Sequence, residues 1–462
     1  MAQDFHFEKS VAFSPEQAEE ILRSVRALPG VFALYGEQAN AEPYLTRAAD
    51  LRRRMKRLLA PPESQSKRLN LRDRVARIEY TITGSEFEST LTLYQAASSI
   101  FGHAEARRRL RLHTPTFLRF TAENEFPRVY ATNRLSKRGL AQMYGPFPSR
   151  AAAERYCDVV LDLFKLRRCH ENLQPYPEHP GCVYGEMKKC IEPCKQACTA
   201  EQYAAEAAAV KAFFDTRGES MLSQIAADRN RASEEMEFER AAQLHEQYQK
   251  VKAATSLADE IVQPVPKLRA VIVQKAATGE REDEAAIFLL AAGCIVGPER
   301  LSTLGVRAVK EQTSVGSSLF AQPLMLQAVP LEGEAAEAAD TAGSPEDRAR
   351  AALEILESHV APSHDLTMLS DHLSLFRRWY YRPEKQRSGE IFLPNPDESW
   401  PVRRILRGAA RQVLGEPKPL PDVQREAAKR AAKDVKTRIL HEGRPDVERV
   451  VPVVTKLSPD SE

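Results

Sequence analysis

The stretch LRRCHENLQPYPEHPGCVYGEMKKCIEPC, residues 166–194, divides the chain, and its four cysteines are the densest chemistry in it. Cys169, Cys182, Cys190 and Cys194 are separated by 12, 7 and 3 residues, and five of the seven cysteines lie between positions 169 and 198. Pro and Gly interrupt any regular period, so the segment is expected as an irregular loop. Four thiolates on such a loop can complete a tetrahedral zinc site or hold the corners of an iron–sulfur cubane. Zinc ribbons present two closely spaced pairs, a pattern missing here, yet spacing alone leaves both metals open. Cys198 is an extra thiol nearby. Cys157 and Cys294 sit in apolar context and are expected in the core.

Upstream, residues 14–28 have helical spacing behind a Ser cap, VFALY (31–35) and YLT (44–46) are strand-like, and the basic run ADLRRRMKRLL (49–59) is helical up to Pro61-Pro62. A strand over 75–83, a helix over 85–101, a strand pair within 116–134 and a helix over 149–164 follow. Downstream, residues 199–254 are almost free of Pro and Gly, and Gly218 near the middle suggests a pair of helices. Strand-like runs return over 268–306. The acidic insertion LEGEAAEAADTAGSPED (331–347) is expected to be solvent-exposed or disordered. Helix and strand patterns resume over 348–414, and a charged, mobile tail is expected from 416.

A chain of 462 residues is too long for one core, and its 43% hydrophobic and 28% charged residues suit a globular protein. The start lacks a basic segment followed by an apolar run, and no stretch reaches membrane-spanning length, so a cytoplasmic, non-membrane protein is expected. In a reducing compartment, clustered cysteines point to metal rather than disulfides. Residues 1–150 carry 24 Lys+Arg against 16 Asp+Glu, and the remainder 42 against 48. That polarity suits a polyanionic partner at the front end.

The runs YGPFPSRAAAERYCDVVLDLFKLRRC (144–169), CVYGEMKKCIEPC (182–194) and EQYAAE (201–206) resemble the bacterial excinuclease subunit UvrC, where a nuclease domain joins a UvrB-binding hairpin. The resemblance implies that Cys169, Cys182, Cys190 and Cys194 hold a four-iron four-sulfur cluster, with zinc as the alternative. EEMEFERAAQLHEQYQKVK (234–252) carries an apolar helical stripe at Met236, Phe238, Ala241, Ala242 and Leu244. By itself that marks only a packing helix. MEFERAA, however, resembles the UVR motif, which implies docking on a UvrB-like protein through Phe238, Ala241 and Ala242, with Glu239 and Arg240 at the edge. The family continues with Leu-Arg-Asp, whereas this chain has Leu244-His245-Glu246.

PGVF (29–32) and PYLTRAADLRRR (43–54) resemble a GIY-YIG nuclease, the fold that makes the 3′ incision in UvrC. Gly30-Val31-Phe32 and Tyr44-Leu45-Thr46 fall on the two signature triplets, Arg47 on the following lysine and Arg54 on the helix arginine. Tyr44 and Arg54 are therefore vestigial catalytic candidates. Phe32 has no hydroxyl, Thr46 replaces a glycine, and Leu93 falls where the metal-binding glutamate belongs. Glu88 lies about 140° around the helix from that position, and Glu86 about 10 Å back along the axis. Mg2+ is expected only if the nuclease is active. Arg47, Arg52, Arg53, Lys56 and Arg57 are the candidate contacts to the phosphates of double-stranded, damaged DNA.

Residues 265–395 resemble the UvrC stretch beyond the hairpin, and too few residues follow for its RNase H-like nuclease. The expected fold class is multi-domain α+β. It comprises a degenerate GIY-YIG-like α/β domain (1–115), a strand pair with a cysteine-rich cluster-binding region (116–200) and an antiparallel helical hairpin (201–256). A mixed α/β C-terminal domain (265–415) and a tail (416–462) complete it. The expected function is a DNA-binding component of nucleotide excision repair that docks on a UvrB-type partner and does not itself incise. The alternatives are an active 3′-incising endonuclease and a cluster-containing regulatory protein outside repair.

Overall fold

Strand β2 (Gly30–Tyr35) is buried almost end to end, and a strand with no wet face needs cover on both sides. In the computed structural model, which describes residues 5–38, 41–61, 69–277, 283–306, 343–360, 365–416, 436–439 and 449–452, that cover is helical. β1 (Lys9–Ala12), β2, β3 (Tyr44–Ala48) and β4 (Arg77–Ile82) form an antiparallel sheet in the order β1-β4-β2-β3. Helices α1 (Ala18–Ser24) and α2 (Leu51–Leu59) close one face around Phe32, Leu34, Met55, Leu58 and Tyr80. Asp50 caps α2 by accepting from the Arg53 N–H at 2.8 Å.

Helix α3 (Glu86–Phe101), capped by Ser85, lies against β2 and β3 and is followed by the short α4 (His103–Arg109). The second sheet has the order β6-β5-β7-β8, built from β5 (Thr116–Phe120), β6 (Val129–Thr132), β7 (Met143–Phe147) and β8 (Gln263–Pro264). It packs on α5 (Arg150–Leu161) and, past the one-turn α6 (Val183–Glu186), on α7 (Ala200–Asp215).

The expected helix pair over 199–254 is three helices. α7 ends at Asp215, Arg217 and Gly218 make the turn with φ +53° and +82°, and α8 (Glu219–Glu234) and α9 (Phe238–Thr255) then form the hairpin. The second break falls at Met236, a non-glycine residue with φ +60°, a position that no Gly or Pro marks.

A third sheet, β11-β10-β9-β12, is formed by β9 (Ala270–Lys275), β10 (Glu284–Ala291), β11 (Cys294–Ser302) and β12 (Glu390–Phe392). Ala292 and Gly293, both with positive φ, make the two-residue turn between β10 and β11. Val271, Val273, Ile287 and Leu289 face α10 (Pro345–Ser358) and α12 (Val402–Leu414). Ile272, Ala286, Phe288 and Leu290 face α3 and α11 (Leu366–Tyr380). This period-two split explains why the runs looked apolar throughout: both faces are covered.

Phe87, Leu91 and Tyr94 of α3 share a core with Phe288, Phe376 and Trp379. The N-terminal segment and the 265–415 segment are thereby joined through one helix. Of the acidic insertion, 331–342 lies outside the described residues, and Ser344 caps α10 through the Asp347 N–H. In the unit from Leu414 onward, β13 (Lys436–Ile439) and β14 (Arg449–Pro452) pair antiparallel, and most of the expected mobile tail is outside the described residues. No helix among the described residues is long and apolar enough to cross a membrane.

Candidate functional sites on the cysteine loop, the hairpin and the N-terminal sheet

The cysteine loop is anchored by an arginine that the sequence does not single out. Arg167 is buried, and its guanidinium donates to the Phe126 carbonyl at 3.0 Å and the Glu171 carbonyl at 3.1 Å, and lies 3.6 Å from Cys169 Sγ. Arg128 donates to the Cys169 carbonyl at 3.1 Å. Cys182 opens α6, with its carbonyl accepting from the Gly185 and Glu186 N–H groups. Cys194 sits in a single 3-10 turn, Pro193–Lys195, bracketed by left-handed Glu192 and Gln196.

Cys190 and Cys194 are buried, while Cys169, Cys182 and Cys198 are half-buried. Burial, helped by the neighbouring thiols of Cys182, Cys169 and Cys194, pushes Cys190 up to about 12, and the Glu192 N–H works the other way. Burial and the Cys182 thiol raise Cys194, which the Lys195 N–H opposes. Among the described residues, no group of three or more His, Cys, Asp or Glu closes to a metal-holding arrangement. The donor chemistry nonetheless suits a cluster: four sulfurs, two with backbone N–H donors and one beside a guanidinium, are the levers that tune iron–sulfur sites. A cavity of about 380 Å³ adjoins Cys190 and Cys198, flanked by Lys165 and Lys188.

The tip of the α8–α9 hairpin is apolar and wet. Met236 is 76% exposed and Phe238 is 68% exposed. Glu239, Arg240 and Ala242 are exposed and Ala241 is half-buried, with Arg240 paired to Glu237 at 2.9 Å. Phe238 opens α9, so the expected stripe is not one helical face: Met236 belongs to the turn before it.

On the N-terminal sheet the candidate residues separate onto two faces, because alternate residues of a strand point to opposite sides. Tyr44 turns to the α2 side, where its hydroxyl accepts from Arg54 Nη2 at 3.0 Å and its ring centre is 6.3 Å from that of Phe32. Leu45 and Arg47 turn to the α3 side. Arg47 Nη1 donates to Glu86 Oε1 at 2.9 Å and to Thr90 Oγ1 at 3.1 Å. Arg382 grips the same carboxylate with both Nη atoms, at 2.5 and 3.0 Å. Hydrogen bonds from Arg382, and then from Arg47, outweigh burial and hold the Glu86 carboxyl down at about 2.

Glu88 is buried and accepts from the Gly84 N–H at 2.7 Å; burial raises its pKa. Leu93, the position expected from the resemblance to face the metal site, is half-buried. A divalent cation needs a carboxylate free to ligate it; Glu88 is buried and both oxygens of Glu86 are taken by guanidiniums, so these residues as they stand do not fit Mg2+.

The basic runs also divide. Arg52 is spent on the Val25 and Arg23 carbonyls, Arg107 on Asp371, and Arg108 and Arg109 on Glu105. Arg53, Lys56 and Arg57 are exposed on one face of α2, and among the described residues their side chains have no hydrogen-bond or ion-pair partner.

With this geometry, the comparisons with known proteins fall into place. The family model "UvrC/Cho excinuclease, middle domain" matches residues 116–213, from the first residue of β5 into α7. UvrABC system protein C of Carboxydothermus hydrogenoformans is 30% identical over 232 residues, 49% of this chain and 37% of that protein. The chain is UvrC-like. The counterparts in Yersinia pseudotuberculosis and Idiomarina loihiensis are 27% and 24% identical over 51% and 50% of this chain. The UvrC-like match spans less than two-fifths of each relative's length, 37–38%. No solved structure matches.

The UvrC-like middle segment contains the whole cysteine loop and the helix that follows it, but stops before the α8–α9 hairpin. Arg167 and Arg382 are the functional-site residues that sequence reasoning missed. Arg167 adjoins Cys169 but looks no different from Arg168. Arg382 is 296 residues from Glu86, and no local pattern links them.

Proposed function

We propose that this protein is a DNA-contacting component of a UvrABC-type nucleotide excision repair system, docking on a UvrB-like partner through the α8–α9 hairpin without making an incision itself. The observation that carries the reading is the hairpin tip, where Phe238 is 68% exposed while most other Phe side chains are buried. A solvated aromatic at a helix start is an anchor looking for a pocket. The similarity to UvrABC system protein C supplies the system in which such a pocket is sought.

In this reading the N-terminal segment is a GIY-YIG-like fold that has lost its metal carboxylate, and Arg53, Lys56 and Arg57 contact DNA phosphates without reading sequence. Cys169, Cys182, Cys190 and Cys194 would hold a four-iron four-sulfur cluster. When bound, such a group acts as a cross-link or an electron carrier. The chain's own contribution there is to orient the thiols through Arg167, Arg128 and the backbone N–H groups.

The test is calorimetry against UvrB. Phe238→Ala should raise Kd about thirtyfold, a loss of about 2 kcal/mol, while the melting temperature stays put. Equal affinity for both proteins overturns the docking reading. One observation favours the incising alternative: Tyr44 and Arg54 keep a hydrogen bond. Adding damaged duplex and Mg2+ to the UvrB complex decides it, because a nick that disappears in Tyr44→Phe establishes a working nuclease.

A further inference from the structure

Glu86 is paired with two arginines from opposite ends of the chain, and it is the first residue of α3, where a helix terminus favours negative charge. Two guanidiniums already meet that carboxylate, and the Arg382 contact is the bidentate fork that makes arginine–carboxylate pairs strong. The trio carries a net charge of +1. Glu86, Arg47 and Arg382 keep 44%, 39% and 35% of their side chains exposed, so the trio is open to a ligand.

Each guanidinium has five N–H donors, and the bonds described above use two on Arg47 and two on Arg382. The remaining donors suit an acceptor-only monoanion with two free oxygens. The cradle is also rigid. Arg382 follows directly after α11, and the neighbouring Tyr381 hydroxyl donates to the Pro146 carbonyl at 3.0 Å. Phe87, adjoining Glu86, packs 5.2 Å from Trp379 of the same helix.

We propose that Arg47, Glu86 and Arg382 form a metal-independent site for a phosphodiester group, with the two guanidiniums as its donors. Glu86 is the buttress that spaces the two arginines, and the nucleic-acid backbone is the ligand. The inference rests on the DNA-binding reading above, and it names the groups that hold one phosphate.

The experiment is fluorescence anisotropy of a labelled duplex titrated with the full chain, in EDTA and in Mg2+. The native protein should bind equally in both. Arg382→Ala should weaken binding about tenfold in both buffers, the worth of a charge-assisted contact. Glu86→Gln, which removes the opposing charge, should bind more tightly than the native chain and stay indifferent to Mg2+. This second variant keeps the test decisive where Arg382→Ala does not fold.

Native affinity in a folded Arg382→Ala protein, or a Mg2+ requirement in the native one, overturns the inference. Weakening in the triple variant Arg53→Glu, Lys56→Glu, Arg57→Glu with native affinity in both Arg382→Ala and Glu86→Gln leaves DNA binding standing and removes this site alone, and Glu86→Gln binding no tighter than the native chain overturns the inference where Arg382→Ala does not fold. No binding by the native chain removes both.

Discussion

Replacing Arg107 with Leu should destabilise the fold by about 3–5 kcal/mol, the cost of leaving a buried charge without its partner. The Asp371 side chain is 0% exposed, and its oxygens accept from Arg107 Nη1 at 2.9 Å and the Tyr94 hydroxyl at 3.3 Å. Without Arg107, one neutral hydrogen bond must hold a desolvated carboxylate. Burial already raises the pKa of Asp371, Arg107 being the main influence pulling it back, so the variant should raise it further.

A folded-state pKa above the unfolded value of about 4 means that the native state binds more protons between the two values. Stability therefore falls as pH rises through that window. The deficit of Arg107→Leu should be small near pH 4 and full at pH 7. Urea unfolding followed by circular dichroism at both pH values measures it. The double variant Arg107→Leu, Asp371→Leu should recover most of the loss, because an apolar pair asks for no desolvation. A deficit under 1 kcal/mol at pH 7, or one that grows on acidification, would refute the reasoning.

Gly84→Ala should be strongly destabilising, on the order of 2–4 kcal/mol, because an added Cβ would stand 2.1 Å from the Ala276 carbonyl carbon and 2.2 Å from the Lys275 oxygen, both immovable backbone. Thermal melting checks it, and an unchanged midpoint would mean that the β4–α3 turn does not touch the end of β9. Cys190→Ser and Cys194→Ser should lose iron from anaerobically purified protein while Cys198→Ser keeps it; iron analysis and the visible absorption spectrum read the difference, and a colourless, zinc-loaded native protein sinks the cluster assignment. The triple charge reversal at Arg53, Lys56 and Arg57 should reduce the slope of log K against log salt by about 3, close to one for each phosphate no longer neutralised. A slope unchanged from native would place the DNA elsewhere.

Much of the local structure was legible in the chain. The helix over 85–101, the stop of α2 before Pro61 and the apolar runs of β9 and β10 each obey a short-range rule, whereas the expected Ser14 cap does not form, since α1 starts at Ala18 behind Gln17 with no side-chain cap. The cysteine loop was legible as a site because proline and glycine density and thiol spacing are one-dimensional properties. The break at Met236 was not, because a non-glycine residue took the left-handed conformation. The basic character of the front end was visible as composition, but composition cannot tell a spent arginine from a solvated one: Arg52 and Arg53 are neighbours, one tied to two carbonyls and the other unpaired among the described residues.

By itself, the sequence determined most of the helix and strand segments and which residues can ligate or anchor. Tertiary structure alone decided that α3 shares a core with β10 and α11, and that Arg382 closes on Glu86 from 296 residues away. The physical reason is range. Caps, turns and periodicity are settled within a few residues, whereas the pairing of charges depends on which surfaces burial brings together, and burial is a property of the whole chain.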